Sequence, residues 1–349
     1  MAEEAKKAEL SIEEVLASTS IADVYQAAKQ LDGVAKKTHL VESPYFSDLC
    51  GNNVYLKPEN LQNTGSFKLR GAYNKISQLN ENERKRGVIT ASAGNHAQGV
   101  AFAARALNCK AVICMPATTP ILKVEATRAY GAEVVLYGDS FDDAYAKSLE
   151  LQKKKGYVYI HPFNDQKVLA GQGTTALEII DELKDVDAIL VPIGGGGFAS
   201  GVALATKAVN PNVKVIGVEP EGAPCMEKSF MEGHVTTLPA VDTVADGCAV
   251  KTPGDLTYAF CKKYLDQIIT VSEMEIMSAL LSLIEKHKLI AEGAGALSLA
   301  ALNKLPFKGK KVAAIISGGN IDISTISALI DKALIARGRG FCFSVQLPD

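Results

Sequence analysis

The sequence predicts an α/β protein with two parallel-sheet domains. Short apolar runs alternate with helical patterns twice along the chain, and glycine-marked turns follow several of these runs. The length of 349 residues and the 47% hydrophobic content suffice for about two buried cores. Because parallel strands are connected through helices, the alternation favours sheets with helices on both faces. The cleft between two such domains is a common place for a small-molecule site.

The alternation falls into two sets. In the first set, three apolar runs each precede a helical pattern: "GVITASA" and "NHAQGVAFAARAL", "KAVICMP" and "ILKVEATRAYG", "AEVVLYG" and "SFDDAYAKSLELQKKKG". The second set begins at "YVYIHPF" and contains the strands "AILVPI", "VKVIGVE", "IITV" and "KVAAIIS", with helices such as "GFASGVALATKAV" between them. The last segment, "FCFSVQLPD", alternates apolar and polar residues with a period of two, which predicts a terminal strand.

The bulk composition argues against several classes of protein. A net charge of −2 without a basic stripe indicates that nucleic acid is no partner. No apolar run approaches the roughly 18 residues that cross a bilayer, so we expect no membrane partner. The charged start "MAEEAKKAEL" does not have the pattern of a signal peptide, and the seven cysteines contain no CxxC pair. Reduced cysteines in a cytoplasmic protein fit this pattern best.

The stretch "GSFKLRGA" puts a lysine where one is unusual. Gly65 and Ser66 predict a turn that opens a helix, with Ser66 as the N-cap and Lys68 in the first turn. The positive end of the helix dipole disfavours a cation at that position. A solvated lysine is the ordinary explanation for a single residue of this kind. Whether Lys68 has a function therefore depends on the motifs elsewhere in the chain.

Four consecutive glycines, Gly194, Gly195, Gly196 and Gly197, stand between a predicted strand and a predicted helix. Their backbone N–H groups and the helix N-terminus would form a cradle for a phosphate group. The same segment satisfies the G-x-G-x-x-A fingerprint of NAD-binding proteins, and Glu219 ends the next strand, where an acid would contact the ribose. An NAD-dependent oxidoreductase is therefore an alternative on this segment alone.

Two further turns follow predicted strands. "SAGNH" contains Ser92, Gly94, Asn95 and His96, whose N–H groups could face an anion such as a carboxylate, although a simple helix cap by Ser92 or Asn95 is the better explanation of this turn taken alone. In "SGGN", Ser317 directly follows a buried strand. Since the carboxyl ends of parallel strands meet at one edge of a sheet, these turns would border the same crevice.

These motifs, taken together and in this order, resemble the pyridoxal-phosphate (PLP) serine/threonine dehydratases. The resemblance rests on "GSFKLRGA", "SAGNHAQG", "GGGG" and "SGGN" and extends from about Ile12 to Arg337. It implies the tryptophan-synthase-β-like fold, in which two open twisted parallel sheets with flanking helices hold PLP in the cleft between the domains. It also implies a large domain of residues 1–59 and 160–333, with a small domain of residues 60–159 inserted in it.

The resemblance also implies a role for each motif. Lys68 would bind PLP covalently and act as the general base, helped by a pKa that the helix start and Arg70 would lower. Further residues would contact the cofactor: Gly194, Gly195, Gly196 and Gly197 its phosphate, Asn95 the ring hydroxyl, Phe67 the ring and Ser317 the pyridine nitrogen. Another group would hold the substrate carboxylate: Ser92, Gly94, Asn95 and His96.

The activity that the resemblance implies is the deamination of L-threonine to 2-oxobutanoate, and of L-serine to pyruvate, by β-elimination. A neutral hydroxyl at Ser317 makes the ring a weaker electron sink than an aspartate would, which favours elimination over transamination. Serine racemase, of the same family, is an alternative. Relatives that racemise serine have a serine before Gly-Asn-His, where this chain has Ala93, so we expect little racemisation.

Two expectations concern the remainder of the chain. Residues 334–349 resemble the start of a regulatory domain: either that domain is truncated here, or the apolar strand pairs with a neighbouring subunit, which favours a homodimer or homotetramer. Some relatives bind a cation through a Glu and an Asp spaced six residues apart. Glu219 matches the first, but Cys225 stands in place of the second, so we expect no metal and regard Glu219 as a weak candidate ligand.

Overall fold

A computed structural model describes residues 12–341 and 343–345. The strands in these ranges form two separate sheets. Their bounds are β1 Val41–Glu42, β2 Asn53–Pro58, β3 Val88–Ala91, β4 Ala111–Met115, β5 Glu133–Leu136, β6 Val158–Tyr159, β7 Ala188–Pro192, β8 Lys214–Pro220, β9 Gln267–Val271 and β10 Lys311–Ile316.

Helices alternate with most of these strands. Within the described residues they are α1 Ile12–Ala17, α2 Ile21–Leu31, α3 Pro44–Cys50, α4 Lys68–Ser77, α5 Glu81–Arg86, α6 Asn95–Ala106, α7 Ile121–Ala129, α8 Phe141–Lys155, α9 Gln166–Glu182, α10 Gly197–Val209, α11 Cys225–Glu232, α12 Asp255–Tyr264, α13 Glu273–Ser282, α14 Gly293–Ala300 and α15 Ile323–Ala336. None of them is long and apolar enough to cross a membrane.

The larger sheet has the strand order β1-β2-β10-β7-β8-β9. Its strands run parallel, except that β1 pairs with β2 in the antiparallel direction. The residues of β10 alternate between two apolar clusters: Val312 and Ala314 belong to one, Ala313 and Ile315 to the other. Both faces of this sheet are therefore covered, as expected for parallel strands connected by helices.

The smaller sheet has the order β5-β4-β3-β6 and is parallel throughout. Val88 and Ile89 of β3 belong to different apolar clusters, so this sheet is also covered on both faces. Together the two sheets confirm the predicted α/β class. One detail of the prediction is wrong: "YVYIHPF" begins the second set in the sequence pattern, but its strand β6 pairs with β3 in the first sheet.

Two other differences concern β2 and the tail. The sequence pattern did not predict β2, which lies between β1 and β10 in the larger sheet. The predicted terminal strand is absent from the described tail residues, where Phe341, Phe343 and Val345 are exposed and outside regular structure. Leu347 lies outside the described residues. The domain boundaries at residues 59/60 and 159/160 remain a prediction.

Candidate active site

The three glycine-marked turns follow the carboxyl ends of β3, β7 and β10, as predicted. Contacts from the start of α4 reach the turn after β10. The Phe67 N–H donates to the Ser317 carbonyl at 3.1 Å, and Ser66 forms an isolated antiparallel bridge with Gly318. The residues before Lys68 are thus attached to the end of the larger sheet.

Ser66 is not the N-cap of α4, so that prediction is wrong. The helix begins at Lys68, and the cap position is occupied by Phe67 in a helical conformation without a side-chain cap. Ser66 is fully buried against the turn after β10, and its hydroxyl has no hydrogen-bond partner among the described residues. Pairing with Gly318 commits this residue to the sheet edge instead of the helix start.

The Lys68 amine contacts the turn after β6, a strand of the smaller sheet. Its Nζ donates to the Pro162 carbonyl at 2.9 Å. Burial lowers the pKa of Lys68 to about 8, because a buried amine loses the hydration that stabilises its charge. Arg70 is not the cause that we expected. Its guanidinium is paired with the carboxylates of Glu59 and Glu178 and does not contribute to the shift of the Lys68 pKa.

The glycine loop has close neighbours on every side. Gly196 has a φ of +91°, a backbone conformation that favours glycine, and α10 begins at the next residue. A Cβ at Gly195 would lie 2.4 Å from the Phe163 ring, and one at Gly194 would lie 3.0 Å from Cys248 Cα. The loop can therefore carry no side chains. Its backbone N–H groups, with those of the first turn of α10, lack intrahelical acceptors and suit an anion.

Phe67 connects this loop to α4. Its ring stacks on Phe198, the second residue of α10, with the ring centroids 3.8 Å apart and the planes at 5°. Phe67 therefore packs against the start of the glycine-loop helix, next to Lys68. Whether it also contacts a cofactor ring remains a prediction.

Asn95, the first residue of α6, lies in a short chain of hydrogen bonds. Its Nδ2 donates to Glu292 Oε1 at 2.6 Å, and its Oδ1 accepts from Asn320 Nδ2 at 2.7 Å. Glu292 was missed from the sequence, since 197 residues separate it from Asn95 and no motif marks it. Burial raises the pKa of Glu292 to about 7.

The other side chains of the "SAGNH" turn are a serine that bonds to the turn itself and a buried imidazole. The Ser92 hydroxyl accepts from the N–H groups of Gly94 and Ala97, both at 3.3 Å. Neither Ser92 nor Asn95 is the N-cap of α6, because that position is occupied by Gly94 without a side-chain cap. His96 Nε2 is paired with the Ile160 carbonyl at 2.8 Å. Burial lowers the pKa of His96 to about 3, so its imidazole is neutral at pH 7.

Ser317 is buried directly after β10, and its hydroxyl donates to the Ala294 carbonyl at 3.2 Å. A serine hydroxyl can rotate and keeps its acceptor capacity while it donates. The side chain is therefore able to serve a neutral or a protonated ring nitrogen, and its role toward a cofactor remains a prediction.

Glu219 accepts hydrogen bonds at the N-terminus of α11. Its carboxylate accepts from the N–H groups of Met226 and Glu227, both at 2.8 Å, at the start of α11. These bonds occupy the acid that an NAD site would direct at a ribose. Within residues 12–341 and 343–345, no group of three or more His, Cys, Asp or Glu side chains could hold a metal ion.

Comparison with known families decides between the two cofactors. A family model described as "Pyridoxal-phosphate dependent enzyme" matches residues 31–318. The chain belongs to this family. Its cofactor is therefore PLP, and the NAD alternative is wrong. The site fits PLP on its own geometry, since it combines a partly dehydrated lysine amine with a side-chain-free loop at a helix start.

Individual relatives cover nearly the whole chain. L-threonine ammonia-lyase from Thermotoga maritima is 52% identical over 321 residues, which are 92% of this chain and 80% of that protein. The processed form of threonine deaminase isoform 2 from Solanum lycopersicum has a TM-score of 0.88 at 42% identity, covering 93% of this chain and 90% of that structure. Maize serine racemase has a TM-score of 0.86 at 34% identity, covering 92% and 99% respectively.

Proposed function

We propose that the chain is a threonine/serine dehydratase that converts L-threonine to 2-oxobutanoate and ammonia, and L-serine to pyruvate and ammonia. The observation that carries the proposal is its 52% identity to an L-threonine ammonia-lyase over 92% of the chain. In this reaction the Cα proton and the β-hydroxyl leave as water, and one water is taken up when the amino group leaves as ammonia.

Bound PLP supplies an electron sink for the substrate Cα. Lys68 is proposed to hold PLP covalently and then, once displaced by the substrate amine, to remove the Cα proton at Nζ. A pKa of about 8 supports both roles, because a neutral amine is needed as a nucleophile and as a base. The Pro162 carbonyl, 2.9 Å away, orients the amine in the site.

Backbone N–H groups do most of the proposed anion binding. Gly194, Gly195, Gly196 and Gly197 are proposed to hold the cofactor phosphate at the positive end of α10. The N–H groups at the start of α6 are proposed to hold the substrate carboxylate, with Ser92 keeping that turn in shape through its bonds to Gly94 and Ala97. The neutral ring of His96 supports carboxylate binding through backbone N–H groups instead of an imidazolium charge.

Asn95 and Ser317 are proposed to contact the cofactor ring, at its hydroxyl and its nitrogen respectively. Asn95 keeps its bond to Glu292 while it does so, whereas the Ser317 hydroxyl would turn from the Ala294 carbonyl to donate its one proton to a neutral nitrogen. A neutral hydroxyl at the nitrogen supports elimination, because it leaves less negative charge delocalised on the ring than a carboxylate would.

A product assay tests the proposed activity. Holoenzyme incubated with L-threonine should release 2-oxobutanoate and ammonia in equal amounts, and L-serine should give pyruvate. Lys68→Ala should abolish both reactions. Formation of D-serine without pyruvate would instead assign the chain to the racemases, which one of its structural relatives represents.

We also propose that the chain is cytoplasmic and forms a homodimer or homotetramer. The six cysteines within the described residues are buried and free, which suits a reducing compartment. Large apolar side chains such as Leu122 and Ile323 are exposed, at 70% and 75%, and would be covered by a second copy. Light scattering of the eluted holoenzyme tests the assembly, and a monomeric mass would contradict it.

A further inference from the structure

The orientation of the Asn95 amide is fixed from both ends of its hydrogen-bond chain. Asn320 Nδ2 donates to the Thr64 carbonyl at 2.8 Å, and a carbonyl can only accept. Asn320 therefore presents its amide nitrogen, which also donates to Asn95 Oδ1 at 2.7 Å. The Asn95 oxygen faces Asn320 as a result, and its nitrogen faces Glu292 at 2.6 Å.

Glu292 is itself held in a narrow space. It is the N-cap residue of α14, and its N–H donates to the Gly318 carbonyl at 3.1 Å. A Cβ at Gly318 would lie 2.5 Å from Glu292 Oε1, so only glycine lets the carboxylate lie against the turn after Ser317. Whether or not Oε2 carries a proton, Oε1 remains an acceptor for Asn95.

We propose that Glu292 and Asn320 are positioning residues, which hold the Asn95 amide so that its second Nδ2 proton is presented to the cofactor. The Asn95 Nδ2 group has two protons. One is donated to Glu292 in a hydrogen bond, and the other remains free to be donated. This inference rests on the proposed PLP site. It adds Glu292 and Asn320, whose hydrogen bonds favour one of the two orientations of the Asn95 amide.

The alternative orientation explains why these residues would be needed. Without an acceptor at Glu292, only the bond from Asn320 still holds the amide, so the orientation turned by 180°, which presents the oxygen to the ring hydroxyl, becomes more populated. Two oxygens that face each other repel when neither carries the proton, so PLP would be bound more weakly. A glutamine at position 292 keeps an acceptor oxygen, so Glu292→Gln should preserve the orientation.

The test measures cofactor affinity. Holoenzyme is dialysed against falling PLP concentrations, and bound PLP is followed by its absorbance. Glu292→Ala should weaken PLP binding on the order of tenfold, the usual effect of losing one hydrogen bond, here that of Asn95 to the cofactor, and Glu292→Gln should stay within about threefold. Glu182→Ala is the control, since that carboxylate also accepts a hydrogen bond from a single N–H, the backbone one of Leu40 at 2.8 Å, but lies outside the site.

A double-mutant comparison separates positioning from general damage. In an Asn95→Ala background, Glu292→Ala should have no further effect on PLP binding, because there is no amide left to orient. An equal loss in both backgrounds would overturn the inference. Asn320→Ala, which should act in the same direction, replaces Glu292→Ala in this comparison if that variant does not fold. Unchanged PLP binding in Asn95→Ala alone would contradict the proposed role of Asn95 instead.

Discussion

Arg70 donates to both carboxylate oxygens of Glu59, at 2.8 Å each, and both side chains are buried. The guanidinium also donates to Glu178, which in turn pairs with the buried Lys57. Two cations and two carboxylates thus form one balanced network beneath the first turn of α4. Burial alone would raise the pKa of Glu59, but Arg70 and Lys57 hold it below its ordinary value. The network anchors the helix that presents Lys68.

Glu59→Gln should destabilise the holoenzyme by about 3–5 kcal/mol, because it leaves the buried Arg70 charge without its main partner. Urea denaturation measures this loss. The control is Asp181→Asn, which breaks the exposed pair with Lys37 and should cost less than about 1 kcal/mol. Equal effects of the two substitutions would mean that the buried network does not anchor α4.

Ser317→Ala should keep bound PLP but slow the elimination on the order of tenfold, since the phosphate cradle is unchanged while one hydrogen bond is lost. Absorbance of the bound cofactor and the rate of 2-oxobutanoate release give the two values. Ser298→Ala is a close control, because Ser298 is also a buried serine that donates to a backbone carbonyl, that of Leu190, at 3.1 Å. A rate like that of the control would make Ser317 only a turn residue.

Features that depend on local pattern could be predicted from the sequence. The helix "GFASGVALATKAV" matches the bounds of α10, Gly197–Val209, since a glycine turn and an apolar face define it locally. The family, the cofactor and the α/β class are likewise confirmed. Lys68 does lie at the start of its helix, although the residue that caps it was assigned wrongly.

Features that depend on distant partners could not be predicted. The lysine in β2, Lys57, is typical of an exposed segment, and its burial is explained by bonds to the Thr38 carbonyl and to Glu178, 121 residues away. The same holds for Glu292 and for Arg70, whose buried partners remove it as a cause of the low Lys68 pKa. Sequence motifs indicate which residues are functional, but the pKa and the partners of those residues depend on tertiary contacts that bury their charges.

The reactivity of Lys68 should depend on pH with a midpoint near 8 once PLP has been removed. A lysine is a base, so lowering its pKa from 10.5 to about 8 makes the neutral amine predominate above pH 8. Competitive acetylation at a series of pH values, read by peptide mass spectrometry, measures the midpoint. Lys37 is the control, because its bond to Asp181 raises its pKa. A Lys68 midpoint as high as that of Lys37 would contradict a dehydrated amine.

Ala93 should keep racemisation slow, because its methyl group cannot return a proton to the face of Cα opposite Lys68. Chiral chromatography of L-serine incubated with holoenzyme should find D-serine forming at least about tenfold more slowly than pyruvate. Ala93→Ser should raise that fraction, while Ala22→Ser, an exposed position of α2, should not. Comparable rates of D-serine and pyruvate formation in the unchanged enzyme would mean that another residue supplies the second proton.

The proposed chemistry depends on the covalent attachment of PLP to Lys68, which borohydride reduction can detect. Reduction of the holoenzyme fixes the cofactor to the amine that holds it, and digestion followed by peptide mass mapping then identifies the residue. We expect one labelled peptide, containing "GSFKLR", with the modification on Lys68. Label on a different lysine, or no label on a holoenzyme that showed bound cofactor before reduction, would contradict it.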